Sequence, residues 1–121
     1  MSDFAKLLQD KCMNFSVRIV NLARFLRNER QEFNIANQIF RSGTSIGANV
    51  AEAQSAISKK DFLAKIYIAL KECNETLCWL ELLYRTRTIV KKQYDSMYED
   101  ANELRRILGT ITKTTSERLS T

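Results

Sequence analysis

The sequence predicts an all-α fold, an antiparallel up-down-up-down bundle of four helices. The first observation is composition, because the 121 residues include no proline and only three glycines, the residues that turn-rich folds need. The second is periodicity, since apolar residues recur every three or four positions through most of the chain. The third is that only short polar breaks separate these segments, which makes consecutive helices antiparallel neighbours. Residues 1–121 are therefore expected to form one domain.

The first predicted helix covers residues 3–28, and Ser2 or Asp3 is in position to cap its start. A polar break at residues 28–32 ends it. Its apolar residues follow a heptad-like pattern that is typical of a core-facing helix. They are Phe4, Leu8, Cys12, Phe15, Ile19, Leu22 and Leu26.

The second predicted helix covers residues 33–56, although its centre is rich in poor helix formers. Each glycine lowers helix stability by roughly 1 kcal/mol relative to alanine. The apolar period nevertheless continues through Gly43 and Gly47, with Gly43 on the apolar face. We therefore expect one continuous helix whose small residues let a neighbouring helix approach closely. The apolar face consists of Ile39, Gly43, Ile46, Val50, Ala53 and Ile57.

The third and fourth helices follow a capping box at residues 58–61, where a serine precedes an acid by three positions. Helix 3 is expected to end at residues 84–87, and helix 4 to run from a connection at residues 86–90 to about residue 113. The polar tail at residues 114–121 is expected to fray. The core face of helix 3 consists of Phe62, Ile66, Leu70, Cys73, Leu77, Leu80 and Tyr84. That of helix 4 consists of Tyr94, Met97, Ala101, Leu104, Leu108 and Ile111.

Composition and cysteine usage predict a reduced, cytoplasmic setting. Hydrophobic residues make up 45% and charged residues 27% of the chain, as in soluble globular proteins. Cys12, Cys73 and Cys78 are odd in number and include no C-x-x-C pair, which disfavours a disulfide framework or a zinc knuckle. Residues 1–10 carry charges that a signal-peptide core lacks, and no apolar run is long enough to span a membrane. We expect no export, no membrane association, no metal and no cofactor.

Four segments carry a resemblance to a known family. The longest reads Arg-Ser-Gly-Thr-Ser-Ile-Gly-Ala-Asn-Val-Ala-Glu-Ala-Gln at residues 41–54, and shorter ones lie at residues 58–62, 68–72 and 79–83. In these segments the chain resembles the bacterial four-helix bundle proteins of the 23S ribosomal RNA intervening-sequence family. More distantly, it resembles the accessory proteins of diversity-generating retroelements, which are basic bundle pentamers associated with nucleic acid and a reverse transcriptase.

The resemblance implies a small cytoplasmic bundle that assembles into a ring-shaped homopentamer. Some members of the family are encoded within insertions in ribosomal RNA genes, and for most of them no activity is established. Ala53 and Gln54 stand where many members have a glycine after the Ala-Glu of the second-helix motif. This departure places the chain in a variant subgroup, so the resemblance implies nothing about its preferred partners.

Alternating helix directions would gather basic residues at the end of the bundle where helices 2 and 4 start. These residues are Arg24, Arg27, Arg30, Arg85, Arg87, Lys91 and Lys92, beside the acids Glu29 and Glu32. The whole chain has a net charge of +5. In a ring, this end would repeat around one face and bind the phosphates of RNA or DNA in a salt-dependent way. Alternatively, cations near helix C-termini simply complement the macrodipole, although this does not explain Lys91 and Lys92 at a helix start.

Helix 3 carries more apolar surface than one core contact needs, which predicts a homo-oligomer interface. The predicted interface consists of Ile68, Glu72, Trp79, Leu82 and Leu83. Trp79 is the residue type that often dominates the binding energy of such contacts. Helix 1 shows a smaller surplus, at Met13, Val17 and Val20. The alternative is a wide intramolecular contact with helices 2 and 4.

A column of polar residues borders the apolar face of helix 2. It consists of Gln38, Ser42, Ser45, Asn49 and Glu52. We expect these side chains to bond one another and the neighbouring helices, which fixes the register where backbones approach closely. A binding groove or a catalytic stripe is the alternative.

The absence of histidine argues against an enzyme. It excludes Ser-His and Cys-His nucleophiles and the Glu-x-x-His pairs of di-iron bundles. Catalysis would require a metal or a ligand pocket among Glu52, Glu72 and Glu75. We therefore predict a non-enzymatic homo-oligomer whose basic face binds RNA or DNA, with no small-molecule substrate. The alternative is a protein interaction scaffold with no nucleic-acid role.

Overall fold

The computed structural model describes residues 1–120, which form four α-helices and no strand. The helices are α1 (Asp3–Glu29), α2 (Asn34–Ala53), α3 (Lys59–Arg85) and α4 (Lys91–Ser120). α2 packs against α1 and α3, α4 packs against α3, and a narrower contact joins α4 to α1. The predicted all-α four-helix bundle is confirmed.

Ion pairs between α1 and α4 show that these two helices run in opposite directions. Lys11 pairs with Glu103 at 3.1 Å. Arg18, about two turns further along α1, pairs with the earlier residue Asp100 at 2.6 Å. With four alternating helices, the α1–α2 and α3–α4 connections lie at one end of the bundle. The α2–α3 connection lies at the other end, with the start of α1 and the end of α4.

The second helix runs without a break through Gly43 and Gly47, as predicted. A Cβ added at Gly43 would lie 2.6 Å from Cγ1 of the buried Ile19, and one at Gly47 would lie 3.2 Å from Cβ of Cys12. Both glycines therefore mark a close approach of α1 and α2. The dispersion attraction between the closely packed helices offsets the low helix propensity of the glycines.

Three residues predicted on core faces are exposed, which corrects the prediction at those positions. Tyr84, in the last turn of α3, is 36% exposed. Phe4 is 55% exposed because it lies in the first turn of α1, where few neighbours cover it. Ile57 is 94% exposed because α2 ends at Ala53 and not at Ala56. The amides of residues 54–56 bond carbonyl oxygens three positions back, which tightens the chain and finishes the helix.

The fourth helix continues beyond Lys113 to Ser120, so residues 114–120 are helical where the sequence predicted a frayed tail. No glycine or proline follows Gly109. Each added residue of an existing helix gains one backbone hydrogen bond without a new nucleation step. The helix therefore propagates through polar sequence. Thr121 lies outside the described residues.

Candidate nucleic-acid interface

Arg30, in the α1–α2 connection, forms hydrogen bonds to the α3–α4 connection. Its Nε donates a hydrogen bond to the carbonyl oxygen of Thr88, and its Nη2 donates one to the carbonyl oxygen of Arg87, each at 3.0 Å. The α1–α2 and α3–α4 connections therefore meet at the same end. We call this end the basic pole and define it as residues 24–35 and 85–93.

Each helix that finishes at the basic pole is followed, two positions after its last residue, by a residue with left-handed backbone. Gln31 has φ 55° and Arg87 has φ 61°. The amide of Glu32 then bonds the carbonyl of Leu26, and the amide of Thr88 bonds that of Leu83, each at 2.9 Å. Glycine usually occupies such positions, because a side chain adds about 1 kcal/mol of strain there. Arg87 therefore has a strained backbone conformation and places a cation at the pole.

Both helices that begin at the basic pole lack the usual N-terminal cap. Phe33 stands at the N-cap of α2 and makes no side-chain hydrogen bond there, although Glu32 Oε1 accepts from the amide of Ile35 at 2.9 Å. The first turns of α2 and α4 contain no acidic residue, and α4 begins with Lys91 and Lys92. No side chain among residues 1–120 accepts a hydrogen bond from the amides of these two lysines. Free amides at a helix start attract anions.

The basic side chains at this pole differ in how firmly they are held. Arg27 donates to Asn37 Oδ1 at 2.9 Å, Arg85 pairs with Glu81 at 2.9 Å, and Lys91 pairs with Asp95 at 2.6 Å. The hydrogen bond to Asp95 and the charge of that carboxylate raise the pKa of Lys91, which keeps its ammonium charged. Arg24, Arg87 and Lys92 have no side-chain partner within residues 1–120. Exposed ion pairs contribute little free energy, so the paired cations can exchange their acids for phosphates.

The predicted interface on α3 is partly buried within the chain itself. Leu83 is fully buried in the core, which corrects its assignment to an exposed flank. Glu72 is only 7% exposed and accepts a hydrogen bond from Arg41 at 3.0 Å. Ile68 and Leu82 remain 38% and 39% exposed. These two residues form the exposed part of the predicted interface.

Trp79, the remaining residue of the predicted interface, is half-buried against the core. Its Nε1 donates to Glu75 Oε2 at 3.1 Å, and Arg41 bonds the same carboxylate oxygen. The tryptophan is therefore tied into the contact between α2 and α3. It leaves only part of its ring for a partner.

The predicted polar column on α2 divides into separate contacts. The hydroxyl oxygens of Ser42 and Thr76 lie 2.9 Å apart in the buried contact between α2 and α3. Ser45 and Asn49 donate to carbonyl oxygens of their own helix. Gln38 and Glu52 are exposed. Of these five residues, only Ser42 has a side-chain hydrogen bond to a neighbouring helix within residues 1–120.

Residues 1–120 contain no group of three or more Cys, Asp or Glu side chains placed to hold a metal ion. Of the three glutamates named as a conceivable catalytic group, Glu72 and Glu75 both bond Arg41. None of the helices in this part of the chain combines the length and the hydropathy needed to cross a bilayer.

Comparison with known proteins assigns the family. Residues 7–110 match the family described as 23S rRNA-intervening sequence protein. The chain belongs to this family. A similar solved structure is a protein of unknown function from the S23 ribosomal protein family of Bacteroides thetaiotaomicron VPI-5482, with 52% identity and a TM-score of 0.88. The match covers 90% of this chain and 97% of that one, whereas no curated protein matches.

Sequence reasoning found the cations of this family member but missed the uncapped helix starts beside them. The signal was present, because Phe33 and Val90 precede the helices where serine, threonine, aspartate or asparagine usually stands. The predicted helix 2 began at Phe33, so the lack of a cap was overlooked. Arg30 was predicted to contact phosphate, whereas its hydrogen bonds hold the two connections together.

Proposed function

We propose that the protein is a non-enzymatic cytoplasmic homo-oligomer that binds RNA or DNA phosphates at the basic pole. The observation that carries the proposal is the pair of hydrogen bonds from Arg30 to the α3–α4 connection. They bring cations from both connections to one surface, together with the starts of α2 and α4. Phosphate is the anion that would satisfy both the side chains and the free amides.

The charges at the pole favour backbone contact over base recognition. Lys91 and Lys92 add to the positive end of the α4 macrodipole, where cations are unfavourable unless an anion binds. A lysine or arginine that neutralises a phosphate releases condensed counterions, so affinity falls steeply as salt rises. The proposed binding is therefore salt-dependent and tolerant of sequence.

Self-association would bring several copies of the basic pole, each a weak binding site, into one assembly. Exposed apolar side chains remain on two helices, with Ile68 on α3 and Met13 and Val17 on α1, the last two 59% and 53% exposed. Such surface is typical of an assembly that covers it. Family resemblance implies a pentameric ring, and a ring with helices along its axis would present the basic pole repeatedly on one face. Several weak contacts then act together on one polynucleotide.

A protein interaction scaffold is the second candidate, favoured by apolar residues at the basic pole itself. Phe33 is 54% exposed and Val90 is 63% exposed. Exposed apolar residues among cations also suit an acidic protein partner. This candidate predicts no affinity for free RNA.

An RNA titration separates the two candidates. Fluorescence anisotropy of a labelled 30-nucleotide RNA of mixed sequence is measured at about 50 mM and about 200 mM salt. Nucleic-acid binding predicts a loss of at least tenfold in affinity between the two conditions. Absence of binding at the lower salt concentration would remove the first candidate and leave the scaffold.

Light scattering tests the proposed self-association. Ile68→Asp places a charge on the exposed part of α3 and should yield a smaller species. The matched control is Ile57→Asp, which charges an isoleucine that is 94% exposed in the α2–α3 connection. An assembly of unchanged mass in both variants would show that Ile68 lies outside the interface.

A further inference from the structure

A groove of about 540 Å³ lies between α3 and α4 and reaches the basic pole at Arg85. Its lining combines two cations, Arg85 and Arg105, with the rings of Tyr94 and Tyr98 and the exposed thiol of Cys78. Its volume lies within the range of ligand sites. The groove residues on α3 extend over about 16 Å of helix, which is room for a few nucleotides.

Three tyrosine rings form a row beside and within this groove. The Tyr84 and Tyr94 rings are stacked with centroids 4.8 Å apart, and the Tyr94 and Tyr98 centroids are 5.7 Å apart. Tyr84 and Tyr98 are each 36% exposed, so the row presents ring surface to solvent at both of its ends. Burial, followed by the charge of Glu81, raises the pKa of Tyr94, and its phenol stays neutral at pH 7. The rings stand on helices, which hold them in place.

The groove has the two components of a single-strand binding site. Aromatic faces accept nucleobases by stacking, which tolerates any sequence because every base has a π-face. Arginines beside them contact phosphates. The acid in the groove, Glu81, pairs with Arg85 at 2.9 Å, and Arg105 leaves the lining with a net positive charge. Arg105 bonds the side chain of Asn102 and is paired with no acid among the described residues.

We infer that this groove holds unpaired nucleotides, whose bases stack on Tyr98 within the groove and on Tyr84 beside it, while Arg85 and Arg105 contact their phosphates. The inference rests on the proposed function and deepens it, because it makes single-stranded nucleic acid the preferred ligand. Bases in a duplex already have both faces covered by their neighbours. A duplex therefore reaches only the cations of the basic pole.

The first experiment compares a labelled, unstructured 12-nucleotide RNA with the same strand annealed to its complement. Tyr98→Ala should weaken single-strand binding by about fivefold or more and leave duplex binding unchanged. Tyr98→Phe keeps the ring and should restore affinity. Tyr67→Ala is the matched control, since Tyr67 is 48% exposed on α3 outside the groove. Equal loss for Tyr98→Ala and Tyr67→Ala would overturn the inference.

The second experiment uses Cys78 as a reporter inside the groove. Burial raises the pKa of Cys12 to about 12 and that of Cys73 to about 11, so neither thiol reacts readily with iodoacetamide at pH 8. Cys78 is exposed and should be alkylated first. Saturating single-stranded RNA should slow this alkylation, whereas duplex should not. Bound RNA that leaves the alkylation rate of Cys78 unchanged would place the strand elsewhere.

The outcomes for the two proposals differ. If neither strand nor duplex binds at low salt, the proposed function fails and the groove inference fails with it. If both bind equally and Tyr98→Ala changes neither affinity, only the groove inference is overturned. Preference for the single strand, lost in Tyr98→Ala and kept in Tyr98→Phe, supports both.

Discussion

The two ends of the bundle start their helices in opposite ways. At the end opposite the basic pole, Ser2 Oγ accepts from the amide of Ala5 at 3.1 Å and Ser58 Oγ accepts from the amide of Asp61 at 3.0 Å. Asp3 and Asp61 also place acids in those first turns. We call this end the capped pole, residues 1–6 and 54–62. At the basic pole neither helix start has a serine cap or an acid in its first turn, and only α2 has an acid before it, Glu32, that bonds one of its amides.

This difference shows which end is built for stability. A serine cap and a first-turn acid each stabilise a helix start by up to about 1 kcal/mol. Both helix starts at the capped pole have both devices, although α3 also begins with two lysines. At the basic pole, α4 begins with Lys91 and Lys92 and has neither device. Local choices that lower stability concentrate at functional sites. The comparison therefore supports the proposal that anions bind at the basic pole.

Charge reversal at the start of α4 has the largest expected effect on RNA affinity. Lys91→Glu combined with Lys92→Glu should weaken RNA binding more than tenfold at low salt and lower the salt slope by about 1 to 2. The free energy of unfolding should change little, because acids suit a helix start but Lys91→Glu loses the ion pair with Asp95 and places two acids one turn apart. Anisotropy and urea unfolding measure the two quantities.

The chain provides a matched control for this charge reversal. Lys59 and Lys60 are exposed and occupy the same first two positions of α3 at the capped pole. Lys59→Glu with Lys60→Glu should leave most RNA affinity in place. Equal weakening by both double variants would mean that net charge, and not the pole, governs binding.

Loss of the Arg30 contact has the next largest expected effect. Arg30→Met removes two hydrogen bonds to carbonyl oxygens and should lower the free energy of unfolding by about 1 to 2 kcal/mol. Arg24→Met is the control, because Arg24 is exposed without a side-chain partner in the described chain and should change stability by less than about 0.5 kcal/mol. Urea unfolding followed by circular dichroism measures both. Similar values for the two variants would show that Arg30 does not hold the connections together.

Relief of left-handed strain has the smallest expected effect. Arg87→Gly and Gln31→Gly should each raise the free energy of unfolding by about 0.5 kcal/mol, since glycine tolerates positive φ but loses more chain entropy. Only Arg87→Gly removes a cation, so only this variant should weaken RNA binding. Unchanged affinity in Arg87→Gly would exclude that side chain from the site.

Features fixed by local chemistry were predicted well from the sequence. The serine cap of the box predicted at residues 58–61 formed as expected, with Ser58 Oγ accepting from the amide of Asp61. The acid differs from the box, because Asp61 Oδ2 accepts from the amide of Ile57 and not from that of Ser58. The unbroken α2 followed from apolar periodicity, which outweighed the low propensity of Gly43 and Gly47. Both signals can be read within one segment of the chain, although packing against α1 is what offsets the low helix propensity of the two glycines.

Features that depend on two helices at once were missed or wrong. Leu82 and Leu83 are adjacent in sequence, yet one is 39% exposed and the other fully buried, because successive residues point about 100° apart. Which of them faces a neighbour depends on the rotation of α3 in the bundle. The row of Tyr84, Tyr94 and Tyr98 likewise depends on the register between α3 and α4. Periodicity within one helix determines neither the rotation of α3 in the bundle nor its register against α4.

Amide exchange of the four helix starts tests the central claim most directly. The ¹⁵N-labelled protein is measured by NMR with and without saturating single-stranded RNA, at residues 34–37 and 91–94 and at residues 3–6 and 59–62. Phosphates bound at the basic pole should slow exchange in the first pair of segments and leave the second pair unchanged. Slowing confined to residues 3–6 and 59–62, or equal slowing at all four starts, would contradict the claim.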